Sequence, residues 1–100
     1  SPESVKNFIS DLHAAFNETV NQSLFESNLQ ILLRKNKSFT NIKDEIHIFF
    51  DLSRSIFFEN SQSIDYEKTH TWLKLFSLHC RMCERRLIVD IKDIVGENPK

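Results

Sequence analysis

Glycine and proline are almost missing from this sequence. One glycine, Gly96, and two prolines, Pro2 and Pro99, occur in 100 residues, all close to an end. An all-β fold of this length needs many tight turns, and those turns draw on Gly or Pro at special dihedrals. Their absence from residues 3–95 argues against a sandwich or barrel and for an all-α chain. Cysteine is scarce as well: Cys80 and Cys83 alone cannot form a disulfide framework. Charge of one sign is not in excess. A formal net charge of -1 supplies no global pull toward nucleic acid or an acidic membrane. No apolar run approaches the roughly 18 residues of a membrane-spanning helix, and no signal-peptide pattern opens the chain. Catalytic signatures are missing too. With no Gly-rich phosphate loop, nucleophile elbow or paired-histidine metal motif, neither an enzyme nor a cofactor is expected.

What is present is helical periodicity. Apolar residues make up 40% of the chain, enough for the core of one domain. Ser1-Pro2-Glu3 reads as a helix start. Val5, Phe8, Ile9, Leu12, Phe16 and Val20 then recur at the spacing of one helical face, to about Asn21. A second helix is expected over 24–35, with Phe25, Leu29, Leu32 and Leu33 on its face. A loop over 37–41 follows, with Thr40 or Asn41 capping the next helix and Phe39 packing back onto it.

That next helix, Ile42 to Phe58, carries the phrase Ile-Phe-Phe-acid twice, at 48–51 and 56–59. At about 100° per residue, Ile42, Ile46, Phe49, Phe50, Ser53, Ile56 and Phe57 fall on one arc, which Ile48 and Leu52 widen to roughly 200°. A helix so widely apolar is expected to sit centrally, its doubled phrase serving mainly as packing, with only Phe58 left over. The polar stretch 60–63 is the clearest loop. A fourth helix then shows no Gly or Pro over 64–95, which would make it about 48 Å long. A compact domain of this size, with a radius of gyration near about 13 Å, does not accommodate that length. Either the helix kinks or breaks near 81–86, or its last turns project. The expected fold is therefore an all-α, four-helix bundle-like domain with a central apolar helix and a long C-terminal helix. The start at Ser-Pro reads as a single domain, 1–100, excised from a larger intracellular protein, cytoplasmic or nuclear.

His79, Cys80 and Cys83 form the densest ligand-like cluster. A structural zinc site needs four ligands, and the second pair is missing, so core cysteines are expected rather than metal. Asn17-Glu-Thr, Asn21-Gln-Ser and Asn36-Lys-Ser match the glycosylation pattern, but a chain rich in Asn and Ser produces such matches by chance. The functional expectation is a non-enzymatic protein–protein interaction module, binding a partner helix or self-associating through its C-terminal helix. Its contact residues would be Phe58 and Trp72, together with Leu87, Ile88, Val89, Ile91 and Ile94 in the last turns. The expected partner is a protein or a second copy, with no membrane. A second reading is a nucleic-acid-binding helical domain using Arg34, Lys35 and Lys37 of helix two and Arg81, Arg85 and Arg86 of helix four.

Overall fold

Ser1 starts the first helix as its sequence suggests: its side chain accepts the Ser4 backbone N–H at 3.3 Å, and Pro2 takes the first helical position. In the computed structural model, which describes residues 1–59 and 63–87, helix α1 spans Pro2–Val20 and buries Val5, Ile9, Leu12, Phe16 and Val20. It stops where Asn21 adopts a left-handed conformation, φ 58°. There the Asn21 N–H reaches the Glu18 carbonyl and the Gln22 N–H reaches that of Asn17, the paired bonds of a Schellman motif. Three further helices follow: α2 (Gln30–Lys35), α3 (Lys43–Phe57) and α4 (Tyr66–Glu84). The chain is all-α, and no strand occurs among the described residues.

The second helix is shorter than its pattern predicts. Residues 24–29 do not join it, and Glu26–Asn28 forms a 3₁₀ turn instead. Asparagine side chains explain the difference. Asn17 Oδ1 accepts the Leu24 N–H at 2.8 Å and Asn28 Oδ1 accepts the Phe25 N–H at 2.7 Å, so these donors are satisfied without an α-helix. The stretch expected to be a loop over 37–41 is a 3₁₀ helix, Lys37–Ile42, that runs directly into α3. Asn41 does not cap α3. Its side chain donates to the Ser38 carbonyl at 2.9 Å, and α3 begins with no side-chain cap. Phe39, on this 3₁₀ helix, is buried in the core, and the segment touches α2, α3 and α4.

Helix α3 buries Ile46, Phe49, Phe50, Ser53 and Ile56. Its buried arc is narrower than predicted, because Ile48 and Phe57 remain 49% and 41% exposed. The doubled phrase accounts for part of this. A repeat of eight residues advances the helix by about 80° beyond two turns, so its second copy is rotated with respect to the first. Ile56 therefore turns inward where Ile48 faces out, and Phe58 outward where Phe50 faces in; Phe57, seven residues beyond Phe50, keeps the buried angle and is exposed as the last residue of α3. The core is aromatic: Phe16 lies 5.8 Å from Phe49 and 6.2 Å from Phe76, between ring centroids. Phe49 stacks on Phe76 at 5.2 Å and Phe76 on Trp72 at 5.0 Å.

Helix α4 is capped by Asp65, whose Oδ1 accepts the N–H groups of Glu67 and Lys68, both at 3.1 Å. It buries Leu73, Phe76, Cys80 and Cys83, then breaks within the 81–86 stretch. Arg86 adopts φ 57°, its N–H reaching the Cys83 carbonyl while the Leu87 N–H reaches that of Met82. This is a second Schellman motif, made with arginine where glycine is favoured. Replacing Arg86 by glycine should relieve the left-handed strain and raise stability by about 0.5–1 kcal/mol in chemical denaturation.

Candidate functional site

Of the expected contact residues, Phe58, Trp72 and Leu87 are described. Glu45 Oε1 meets His79 Nδ1 at 2.8 Å, and Phe49 stacks on Phe76, so α3 and α4 run antiparallel side by side. Phe58, just past the end of α3, therefore lies at the beginning of α4, whereas Leu87 follows the opposite end. Phe58 is 83% exposed and Leu87 62%. Trp72 is half-buried, packed against the core through Phe76. Ile88, Val89, Ile91 and Ile94 lie outside the described residues.

Phe58 lines a groove assembled from α1, α3 and the segment between α1 and α2. This groove of about 470 Å³ has Leu24 and Phe50 among its lining, with Phe25 also part of it. Phe25 is 60% exposed. Sequence reasoning assigned Phe25 to a buried helical face; because the helix does not form there, the ring faces water. His13 and Ser53 also line the groove, with His13 Nε2 and Ser53 Oγ 2.8 Å apart. The imidazole packs against Phe49 and Phe50, with centroids at 4.8 and 5.5 Å, and burial pushes its pKa below the ordinary value of 6.5. Among the described residues no carboxylate bonds its other ring nitrogen, so the arrangement is a polar clip joining α1 to α3.

The clip has two measurable consequences. Ser53→Ala should cost about 1–3 kcal/mol by leaving a half-buried imidazole without its partner, and adding His13→Leu should recover much of that loss. The fold also resists protonating His13. As pH falls through about 6.5 the unfolded chain takes up a proton that the folded chain refuses, so stability is full above that pH and declines below it. His13→Gln should flatten this decline in denaturation curves taken from pH 7 to 5.

Glu26 fixes the groove's edge. Its carboxylate meets His47 Nδ1 at 2.7 Å and Arg54 Nη2 at 3.3 Å, and Arg54 also meets Asp51 at 2.7 Å. Such exposed pairs add little stability. Their effect is positional, tying the 3₁₀ turn beside Phe25 to α3.

A second feature lies at the far end of α4. Asn36 Nδ2 donates to the Cys83 carbonyl at 2.9 Å, and Cys83 Sγ approaches the Ser38 carbonyl at 3.4 Å. These contacts bring Arg34, Lys35 and Lys37 to the same end of the domain as Arg81, Arg85 and Arg86. Arg81 is braced by Ser77 Oγ at 3.0 Å, and Glu84 is the acid set among the α4 arginines. The cysteines between these groups are thiols held away from ionisation. Burial raises both, Cys83 to about 11 and Cys80 further. His79 turns to Glu45 rather than toward them, and no metal-competent group of three His, Cys, Asp or Glu occurs among the described residues.

Two of the three glycosylation matches are structurally engaged. Asn17 Oδ1 holds the Leu24 N–H, and Asn36 uses for Cys83 the same nitrogen that would carry a sugar. Among the described residues no helix is long and apolar enough to cross a membrane. Comparison with protein-family models, curated proteins and solved structures finds no match for the chain.

Proposed function

We propose that this chain is a non-enzymatic protein–protein interaction module whose docking surface is the Phe25–Phe58 groove, filled by a bulky apolar side chain of the partner. The observation that carries this reading is the exposure of both phenylalanines, 60% and 83%, on a groove of about 470 Å³. Phe57 extends the same side of α3, four residues beyond Ser53 and seven beyond Phe50. At about 200 Å² per phenylalanine, the three rings leave roughly 350 Å² in water. That alone is comparable with the largest apolar patch of a typical monomer, which is often functional.

Selection of a displayed peptide library against the chain tests this. Peptides should be recovered whose binding falls at least tenfold with Phe25→Ser or Phe58→Ser while the melting temperature stays unchanged, as expected for exposed positions. Recovery only of peptides indifferent to both substitutions would overturn the reading.

The bond between Asn36 and Cys83 favours a second reading, a nucleic-acid-binding surface at the end of α4. Two carbonyl-rich helix ends meet there, from α2 and α4, each equivalent to about half a negative charge. With Lys37 set aside, they account for roughly one of the remaining clustered cations, and Glu84 for another, leaving a positive surplus. If the surplus engages a phosphate backbone, affinity for single-stranded RNA or DNA should fall with salt at a log–log slope near -0.7 per phosphate contacted. Arg86→Gly should then weaken binding while stabilising the fold. No binding of mixed-sequence strands at low salt would remove this reading.

A further inference from the structure

The lining of the groove sets what fills it, and the charge on its rim sets what can flank that group. We propose that the partner is a cationic protein segment, one bulky apolar side chain seated in the groove and lysine or arginine beside it. This deepens the reading of the groove as a docking surface and rests on it. Phe25 and Phe58 form part of the wall and are exposed. Rings so exposed attract cations over their faces as well as packing apolar groups.

The rim carries an excess of carboxylate. Glu26 and Arg54 line the groove and meet at 3.3 Å, but Arg54 is shared. Its Nη2 also meets Asp51 at 2.7 Å, and Glu59 follows Phe58 directly, accepting the Ser55 hydroxyl at 3.2 Å. The Asp51 bond, with attraction to Asp51, Glu26 and Glu59, holds the guanidinium above its ordinary pKa. Three carboxylates thus act on one guanidinium, and a protonated His47 against Glu26 would still leave the rim negative. Helix α3 also ends here, at Phe57, and its carbonyl end adds about half a negative charge. The basic groups stand at the far end of α4, about 28 Å of helix from Phe58 and beyond the reach of screened charge. Asp51 keeps 68% of its side chain exposed, so its charge is open to a partner. A second copy would bring the same carboxylates and be repelled. Rim charge of this kind selects the partner, while apolar contact in the groove holds it.

Peptides displayed against the full chain supply the probe. Those whose binding needs Phe25 or Phe58 should carry lysine or arginine within about one helical turn of a large apolar residue, and no acid there. One such peptide is then made in two forms, intact and with its basic residues changed to glutamate, and titrated by fluorescence anisotropy. The glutamate form should bind at least about tenfold more weakly, and the intact form should weaken as salt rises. Asp51→Asn and Glu59→Gln should each weaken the intact peptide about threefold, as for an exposed ion pair, with the melting temperature unchanged. The same two variants should strengthen binding of the glutamate form.

Groove-dependent peptides with no basic bias, or equal affinity for the two forms, overturn the proposal and leave the docking reading standing. So does a chain that dimerises in sedimentation equilibrium and returns to single chains on Phe58→Ser, which gives the groove to its own copy. If no recovered peptide depends on Phe25 or Phe58 and the chain stays single, both fall.

Discussion

Phe49→Ala is expected to lower stability by about 3–5 kcal/mol, the range for removing a phenylalanine from a packed core. The ring is fully buried and stacks on Phe76 at 5.2 Å and 21° between planes. It also meets Phe16, Phe50 and His13, at 5.8, 5.6 and 4.8 Å. Removing it leaves a hole among rings supplied by α1, α3 and α4, none of which can move in without disturbing another. A domain of this size is stable by about 5–15 kcal/mol in total, so the loss is a large part of the whole. At about 4–8 °C per kcal/mol, the melting temperature should drop by roughly 12–40 °C. Phe57→Ala is the informative control. It changes the same residue type in the second copy of the same phrase, at a ring 41% exposed. Its cost should stay under about 1 kcal/mol. Similar losses for the two variants, with unchanged denaturant slopes, would mean that Phe57 packs as Phe49 does despite its place at the end of the helix.

Much of the fold was legible because its long helices bury periodic faces. Val5 through Val20 on α1 and Leu73 through Cys83 on α4 are what a 3.6-residue period predicts. The all-α class followed from the missing turn residues. The failures lie where side chains or strained backbone replace the ordinary local signals. Asn17 and Asn28 satisfy the N–H groups of residues 24 and 25, and a helix that periodicity supports does not form. Helix α4 ends on a left-handed arginine, so a search for glycine runs past it to Gly96. Phe57 was placed inside because it shares the angle of Phe50, and an arc does not register that it is the last residue of α3. The groove was half visible. Phe58 stood out as a ring with no place in the helical pattern, whereas Phe25 fitted a face that the chain does not build. The meeting of the two basic groups was invisible, since it depends on Asn36 reaching a carbonyl 47 residues away.

Asn36→Ala should cost about 2 kcal/mol through two separable effects. Asn36 stands in extended conformation between α2 and the 3₁₀ helix, and its Oδ1 accepts the Ser38 N–H at 3.0 Å. Losing such a cap costs typically about 1 kcal/mol. Its Nδ2 donates to the Cys83 carbonyl at 2.9 Å, a tertiary bond contributing about 0.5–1.5 kcal/mol. That carbonyl keeps the Arg86 N–H as a second donor, at 2.9 Å, so it is not left bare and the total stays near the sum. Asn36→Asp separates the parts. It keeps the cap on Ser38 but presents a carboxylate oxygen to the Cys83 carbonyl, replacing a bond with repulsion. Hydrogen exchange should therefore show the Ser38 amide losing protection in the alanine variant and keeping it in the aspartate variant. Both variants should loosen the end of α4. If the basic end binds a phosphate backbone, both should also lower that affinity without removing any cation, because the bond they break holds the two basic groups together. Unchanged affinity in a folded Asn36→Ala protein would mean that the groups act singly, and that the bond serves α2 and α4 alone.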